Sequence, residues 1–392
     1  MERASVPTVS PFQRLNETLA GIEPGLPPIN LALGEPRHGV PAFVAAAVAK
    51  ASADFGRYPP ISGSDAFRRA VATWIERRYH LASAINPDTM VIALSGSREG
   101  LFSAIFAARA RFADKTRPVV LLPNPFYQAY GAAAEAIGAE TVTLAETASG
   151  APDLAAIDGA ILARTIACYV ASPSAPQGAM ATLKDWMELT ELARRHRFML
   201  FADECYSEIY RAAPPAGALE GATALGGVAN VVSFNSLSKR SNLPGLRVGF
   251  AAGDADFLAG WLRLRNMAAP QVPLPLQAAA VAAYQDEEHV LANRRLYNEK
   301  YELAERALAG RLGYATPPGG FFLWLDMAAA GGGEAAAIRL WREAGLRTLP
   351  GEYLARPDGA GRNPGAARLR IAMVEDLATT KEALNRLSRL FP

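Results

Sequence analysis

The chain has 392 residues, of which half are hydrophobic and a fifth are charged, and its formal net charge is +2. This composition predicts one large or two ordinary globular domains, and the near-neutral charge gives no reason to expect nucleic acid or a membrane surface as a partner. No apolar run is long enough for a membrane span, and residues 1–15 lack the apolar centre of a secretory signal, so we expect a cytoplasmic protein.

Short apolar runs alternate with longer amphipathic runs through the first two thirds of the chain. The predicted strands are 90–94, 119–122, 141–144, 166–170, 198–202, 231–234 and 248–250, and the predicted helices begin at Glu99 or cover 130–137 and 183–196. Because apolar residues occupy both faces of these strands, we expect an α/β fold with a mostly parallel seven-stranded sheet between helices.

The pattern changes after about residue 285. Residues 286–310 are predicted to form one long charged helix, and 321–325 and 368–373 are predicted to be strands of a smaller α+β domain. Residues 1–40 contain many prolines and are predicted to form an arm plus one strand that packs on this domain. We therefore expect an arm that is part of the small domain (1–40), a large domain (41–285) and a small C-terminal domain (286–392).

Two cysteines, Cys168 and Cys205, are predicted to be buried free thiols.

The most informative stretch is Ser236-Leu237-Ser238-Lys239, which follows a predicted buried strand and precedes Arg247 by eight residues. Burial disfavours a charged amine and lowers its pKa, and a neutral lysine can attack an aldehyde carbon. Two hydroxyls and a guanidinium beside it are the donors that a phosphate dianion needs. The string therefore predicts a pyridoxal 5'-phosphate site in the large domain. The alternative is a surface lysine, with Arg247 in an unrelated ion pair. We would favour this alternative if the lysine stood alone, but the whole string favours the cofactor site.

Other polar residues follow predicted strands, at the edge where open α/β sheets bind ligands. Ser97 and Arg98 lie at the start of a predicted helix, whose backbone N–H groups favour a phosphate. Tyr127 is suited to stack on a pyridine ring, Asp203 to pair with a protonated pyridine nitrogen, and Tyr206 to hydrogen-bond a phenolate oxygen. Each residue alone has an ordinary structural explanation, whereas their combination with the lysine favours the cofactor site.

Arg370 lies in an apolar predicted strand of the small domain. A guanidinium in that setting fits bidentate recognition of a substrate carboxylate, and an interdomain ion pair is the alternative. The sequence contains no phosphate-binding loop, dinucleotide glycine fingerprint, zinc-ligand spacing or Gly-x-Ser-x-Gly elbow, so we expect no metal.

In this order, the residues resemble those of the fold-type I pyridoxal phosphate enzymes, specifically the class I/II aminotransferases, from about Pro11 to the C-terminus. The resemblance implies that Lys239 binds the cofactor covalently and moves a proton at the substrate's Cα. It also implies that Asp203 pairs with the pyridine nitrogen, that Tyr206 bonds the phenolate oxygen and that Tyr127 stacks on the ring. The phosphate would be held by Ser97, Arg98 (through its backbone), Ser236, Ser238 and Arg247.

Three further residues acquire roles only through the resemblance. Tyr58 matches the tyrosine that reaches the cofactor phosphate of the neighbouring subunit, which implies a homodimer with shared active sites. Arg370 and the backbone of Gly34 would bind the substrate's α-carboxylate.

A subfamily resemblance lies in six strings, at 33–38, 58–60, 124–128, 203–210, 236–242 and 349–356, which are similar to those of N-succinyldiaminopimelate aminotransferases. The chain departs from the family's Asn-Pro-x-Gly motif, because Ala175 stands where the family has an asparagine that bonds the cofactor's phenolate oxygen. Gln177 is a candidate substitute with a longer side chain. Residues 266–271 also depart from the subfamily, near the substrate.

The expected function is amino-group transfer between an amino acid, acylated diaminopimelate-like or dicarboxylic, and a 2-oxo acid. Ala175 motivates an alternative in which the same cofactor carries out elimination, replacement, C–C bond formation or oxidation. A non-catalytic binding protein, such as the sensing half of a regulator, is the third hypothesis. Residues 1–40 are too short and proline-rich for the DNA-binding segment that such regulators carry.

Overall fold

The computed structural model describes residues 10–392 apart from 83, 146, 148, 150 and 154–156. Its strands are β1 (Ile29–Asn30), β2 (Val91–Leu94), β3 (Val119–Pro123), β4 (Glu140–Leu144), β5 (Thr165–Ala171), β6 (Met199–Asp203), β7 (Val231–Ser236), β8 (Gly249–Gly253), β9 (Phe322–Asp326), β10 (Leu346–Arg347), β11 (Leu349–Pro350) and β12 (Arg368–Ala372). Its α-helices are α1 (Pro11–Thr18), α2 (Phe43–Lys50), α3 (Asp65–Arg78), α4 (Ser97–Arg111), α5 (Gln128–Ala136), α6 (Gly159–Arg164), α7 (Leu183–His196), α8 (Ala218–Ala224), α9 (Leu237–Arg240), α10 (Ala255–Ala268), α11 (Leu274–Gln285), α12 (Glu288–Leu308), α13 (Gly333–Ala344) and α14 (Leu377–Leu390).

The central sheet has seven strands in the order β2-β8-β7-β6-β5-β3-β4, and β8 alone runs antiparallel to its two neighbours. This confirms the predicted mostly parallel sheet. Its strands are apolar on both faces because each face contacts a different hydrophobic cluster. In β3, Val119 and Leu121 belong to one cluster, whereas Val120 and Leu122 belong to the other.

The direction of β8 brings three chain segments to one point at the edge of the sheet. Gly249, the first residue of β8, pairs with Leu94 at the end of β2 and with Ser236 at the end of β7. The segments that follow β2 and β7 and the segment that precedes β8 therefore lie beside one another. Ligands bind at this carboxyl edge in open α/β sheets.

Two smaller sheets contain the strands of the last part of the chain. Strands β11, β12 and β9 form an antiparallel sheet, and β1 pairs in parallel with β10. The strands predicted at 321–325 and 368–373 are thus present as β9 and β12, and the strand predicted in the arm is β1. Helix α1 was not predicted; Ser10 caps it, and its side chain accepts a hydrogen bond from the backbone N–H of Gln13.

Residues 1–9 of the predicted arm lie outside the described residues, and the division of the chain at residues 40 and 285 stays a prediction. Cys168 and Cys205 are buried free thiols. In the part of the chain that the structure describes, no helix combines the length and the apolar character needed to cross a bilayer.

Candidate active site

A cavity of about 520 Å³ opens at the carboxyl edge of the central sheet. It is lined by eleven of the twelve predicted site residues, namely Gly34, Ser97, Arg98, Tyr127, Asp203, Tyr206, Ser236, Ser238, Lys239, Arg247 and Arg370. Tyr58 is the one that does not line the cavity, and it is 95% exposed. The structure therefore brings together residues of the seven-stranded and three-stranded sheets, whereas Tyr58 lies apart from them.

Lys239 lies in the short helix α9, which begins directly after β7. Ser236 caps this helix, since its hydroxyl accepts a hydrogen bond from the backbone N–H of Ser238. The amine of Lys239 donates a hydrogen bond to the carbonyl oxygen of Gly34. Burial, together with the positive charge of Arg370, lowers the pKa of Lys239 to about 8. A substantial fraction of this amine is therefore neutral near physiological pH and able to act as a nucleophile or base.

Asp203 is the last residue of β6 and has no cation within ion-pair distance among the described residues. Its Oδ2 accepts a 2.7 Å hydrogen bond from the hydroxyl of Tyr130, and its Oδ1 accepts a 3.2 Å bond from the backbone N–H of Cys205. Burial raises the pKa of Asp203. A cationic ligand stabilises a buried carboxylate that has no cationic partner, and a protonated pyridine nitrogen is such a ligand.

Tyr130 was missed by the sequence analysis. It lies in the first turn of α5, three residues after Tyr127, and the two rings are edge to face at 5.6 Å. The sequence did offer one signal for Tyr130, a second tyrosine at the start of a helix that follows a strand. Such tyrosines are too common to identify a site residue.

The donors predicted for a phosphate meet where β2, β7 and β8 converge. Arg247 has a left-handed backbone (φ 56°), and its guanidinium donates to the carbonyl oxygens of Pro244 at 3.0 Å and Ser95 at 3.4 Å. Gly96 has φ 84°, and a Cβ at Gly96 would lie 2.2 Å from Nη2 of Arg247. A glycine is therefore required for Arg247 to reach this place.

The hydroxyl oxygens of Ser236 and Ser238 are 2.9 Å apart at the same end of the cavity. Helix α4 begins at Ser97, two residues earlier than predicted, so the N–H groups of its first turn are available. Two hydroxyls, a guanidinium and the start of a helix form a donor set that fits a phosphate dianion.

Two tyrosines supply the sides of the cavity. The hydroxyl of Tyr127 accepts a hydrogen bond from Nε of Arg98, so the side chain of Arg98 supports Tyr127 in addition to its predicted backbone role. Tyr206 packs edge to face on Phe321 and Phe322, with ring centroids 5.1 Å and 5.9 Å away. Burial raises the pKa of Tyr206 well above its usual value, so its hydroxyl is a neutral hydrogen-bond donor.

Arg370 reaches the cavity from β12. Its Nη2 donates to the carbonyl oxygen of Ala32 at 2.7 Å, its Nε is buried without a partner, and its guanidinium lies 4.6 Å from the ring centre of Phe322. Burial lowers the pKa of Arg370 to about 10. The alternative of an interdomain ion pair is not observed, because no carboxylate pairs with Arg370 in the described part of the chain. Arg370 therefore presents an unneutralised cation to the cavity.

Ala175 lines the cavity, as its position in the departed motif predicted. Gln177 does not line it, and the Oε1 atom of Gln177 is buried without a hydrogen-bond partner. The longer side chain therefore does not replace the missing asparagine in this structure. The cavity also has apolar walls that the sequence analysis missed, at Pro11, Phe12, Phe322 and Leu354, and these carry no sequence signal beyond their hydrophobicity.

Residues 27–387 match the family model described as aminotransferase class I and II. The LL-diaminopimelate aminotransferase of Moorella thermoacetica is 30% identical over 391 residues, which cover 97% of this chain and 95% of that protein. Among solved structures, an aminotransferase from Neisseria meningitidis is 36% identical, with a TM-score of 0.92 and 98% of both chains covered. A probable N-succinyldiaminopimelate aminotransferase from Thermus thermophilus is 27% identical, with a TM-score of 0.82 over 97% of this chain and all of that one.

Proposed function

The chain belongs to the aminotransferase class I and II family, whose members use pyridoxal phosphate, and we propose that it acts on amino acids of the diaminopimelate type, acylated or otherwise dicarboxylic, with a 2-oxo acid as amino acceptor. The observation that carries this proposal is the unpaired guanidinium of Arg370 in the same cavity as the amine of Lys239. In this proposal Arg370 binds the α-carboxylate of the substrate, and Lys239 reacts at the adjoining Cα. The names of the relatives support the diaminopimelate type.

The residues of the cavity fit the cofactor of this family. Lys239 would hold it covalently, Asp203 would pair with its pyridine nitrogen, Tyr206 would bond its phenolate oxygen and Tyr127 would cover its ring. Its phosphate would be held by Ser97, Arg98 (backbone), Ser236, Ser238 and Arg247. When bound, pyridoxal phosphate supplies an aldehyde that exchanges amino groups and a ring that withdraws electrons from the substrate's Cα.

Lys239 is the general base of the proposed reaction. Its amine accepts the proton from the substrate's Cα, and a pKa of about 8 leaves it partly neutral at physiological pH while it remains able to return the proton. Arg370 and the backbone of Gly34 hold the α-carboxylate, so Cα lies near Nζ of Lys239. The rings of Phe322 and Tyr206 line the cavity.

We also propose a homodimer in which Tyr58 completes the partner's site. The exposure of Tyr58, outside the cavity of its own chain, supports a role at another subunit. Phe55, a second exposed ring three residues earlier, offers apolar surface for such a contact. The two buried free thiols, Cys168 and Cys205, support a cytoplasmic location, since thiols persist in reducing compartments.

A half-reaction tests the proposed chemistry. Holoenzyme is mixed with glutamate, LL-diaminopimelate or N-succinyl-LL-diaminopimelate, and the released cofactor and 2-oxo acid are separated and counted. We expect the aminated cofactor and the 2-oxo acid in equal amounts. No conversion with any of these donors contradicts the proposal.

Ala175 motivates a second candidate function, in which the same cofactor carries out elimination, replacement, C–C bond formation or oxidation. If elimination or replacement dominates, the product leaves without a matching amount of aminated cofactor. A non-catalytic binding protein is not supported, because the family and the named relatives are aminotransferases.

A further inference from the structure

A second cavity of about 590 Å³ adjoins the catalytic one, and we call it the side recess. The two cavities share six residues in their linings: Pro11, Arg98, Phe126, Gln128, Arg247 and Leu354. The side recess therefore lies beside the catalytic cavity, and four residues of α5 line it: Gln128, Ala129, Ala132 and Glu135.

Arg356 differs from the other charged residues that line the side recess because it is buried, with only 8% of its surface exposed. The side chain of Asn124 holds its backbone, donating to the carbonyl oxygen at 2.9 Å and accepting from the N–H at 3.0 Å. Its Nη1 donates to the hydroxyl of Thr141 at 3.1 Å, while Nε and Nη2 are buried without a partner. Its guanidinium lies 5.0 Å from the ring centre of Phe126, and a Cβ at Gly131 would be 3.3 Å from its Nη2.

Among the described residues, no other charged group of the side recess forms an ion pair with Arg356. Glu135 on α5 is the carboxylate whose charge acts on Arg356, and the two form no ion pair. Glu99 on α4 is paired with Arg265. Arg98 lies between the two cavities and has no carboxylate partner among the described residues, while Arg247 is assigned to the cofactor phosphate.

We propose that the side recess receives the far end of the substrate and that Arg356 binds a carboxylate there. This deepens the proposed function and rests on it: the substrate class is amino acids that carry a second acid group distant from the reacting carbon. Two buried guanidinium nitrogens of Arg356, Nε and Nη2, have lost their hydration without gaining a partner, and a carboxylate would supply paired charge-assisted hydrogen bonds to them. Phe126 packs against the aliphatic chain that joins the two acid groups. Arg356 is thus a specificity-determining residue, held in place by Asn124.

Dicarboxylates that cannot react test this proposal. Binding of glutarate, adipate, pimelate and suberate to the holoenzyme is measured by calorimetry, each against the monocarboxylate of the same carbon number. We expect at least one dicarboxylate to bind about tenfold more tightly than its monocarboxylate, the effect of one charged hydrogen-bonded pair. In Arg356→Met this preference should disappear while the monocarboxylate still binds, which also shows that the variant is folded.

The matched control is Arg339→Met, which removes an arginine on α13 that pairs with Glu343 and lines neither cavity. It should retain the full preference. If Arg356→Met does not fold, Arg356→Lys decides, because the ammonium keeps the charge and loses the planar fork; we expect at least a threefold reduction of the preference. An unchanged preference in the Arg356 variants, or none in the wild type, overturns the proposal.

The half-reaction with glutamate is measured on the same preparations. Conversion of the cofactor without any dicarboxylate preference overturns the role of Arg356 and leaves transamination standing. A dicarboxylate preference that depends on Arg356, without conversion by any donor, overturns transamination and supports the carboxylate site.

Discussion

The hydroxyl of Tyr130 donates a 2.7 Å hydrogen bond to Oδ2 of Asp203, although α5 and β6 carry the two residues far apart in the chain. This bond favours the ionised form of Asp203 against the burial that raises its pKa. Asp203 otherwise accepts one backbone bond, from Cys205. The tyrosine therefore favours the ionised form and orients the carboxylate that would face the cofactor's pyridine nitrogen.

Replacing Tyr130 with phenylalanine should weaken cofactor retention by about tenfold or more, since a hydrogen bond to a charged group contributes roughly 1.5–3 kcal/mol. Fluorescence titration of the apoenzyme with pyridoxal phosphate measures the change. Tyr169→Phe is the matched control, because Tyr169 stacks on Tyr130 at 4.6 Å but donates its own buried bond to the carbonyl oxygen of Leu101. Equal losses in the two variants would contradict a specific role for Tyr130.

The lowered pKa of Lys239 should govern how fast the apoenzyme captures its cofactor. The reactive neutral amine increases as pH rises through about 8, so we expect the capture rate to increase with pH and level off above about 9. Stopped-flow absorbance measures the rate. Borohydride reduction and peptide mass analysis should then locate the cofactor on Lys239. Burial also lowers the pKa of Lys115 to about 8. Attachment of the cofactor to Lys115 would therefore show that a lowered pKa alone determines which lysine reacts.

The shared site predicts complementation between two defective subunits. A mixed dimer of Lys239→Ala and Tyr58→Phe chains contains one site with both lesions and one with neither, provided that Tyr58 acts on its partner. We therefore expect the mixture to recover tight cofactor binding in part of the sites. No recovery in a mixture that sedimentation shows to be dimeric would place Tyr58 at its own chain's site or at none.

Glu204 predicts a dependence of stability on pH. This carboxyl is 1% exposed, and it accepts hydrogen bonds from the backbone N–H of Ala218 at 2.9 Å and from the hydroxyl of Ser233. Burial raises its pKa from 4.5 to about 7. The folded state thus binds more protons than the unfolded state between these values, so the contribution of Glu204 to stability decreases as pH rises.

Glu204→Gln removes this titration. The free energy of unfolding of the wild type, relative to the variant, should decrease by about 3 kcal/mol between pH 4.5 and pH 8. Urea unfolding at several pH values measures it, with the exposed Glu188→Gln as control. A difference that is constant over this range would contradict the raised pKa.

Ala175→Asn should restore the hydrogen-bond donor that the family motif supplies. A donor to the phenolate oxygen stabilises its charged form, so the pH midpoint of the holoenzyme's visible absorbance should decrease by about one unit. Ala175→Leu has a similar branched shape without the donor and should leave the midpoint within a few tenths of a unit or raise it. A decrease in both variants would assign the effect to bulk rather than to the donor.

The central sheet was predictable because its strands are short, doubly apolar and end at polar residues. The same pattern located Asp203, Lys239 and Ser97, and the strand-end rule predicted that they would meet. Helix α1 was missed because proline at its first position is as typical of a loop as of a helix start.

The rest of the site depends on contacts between distant parts of the chain. Nothing in the sequence around Tyr130 or Arg356 shows which group each one faces, since α5 meets β6 and the 355–356 segment only through tertiary packing. The separation of Tyr58 from the cavity likewise becomes visible only in three dimensions.

The close contact between Gly96 and Arg247 constrains how this sequence can diverge. A side chain at position 96 would occupy the space of the guanidinium, so the two positions cannot vary independently. In a library randomised at position 96 alone, chains that keep the cofactor should retain glycine. Positions 96 and 247 are therefore expected to be inherited together, as a pair whose members were selected for each other.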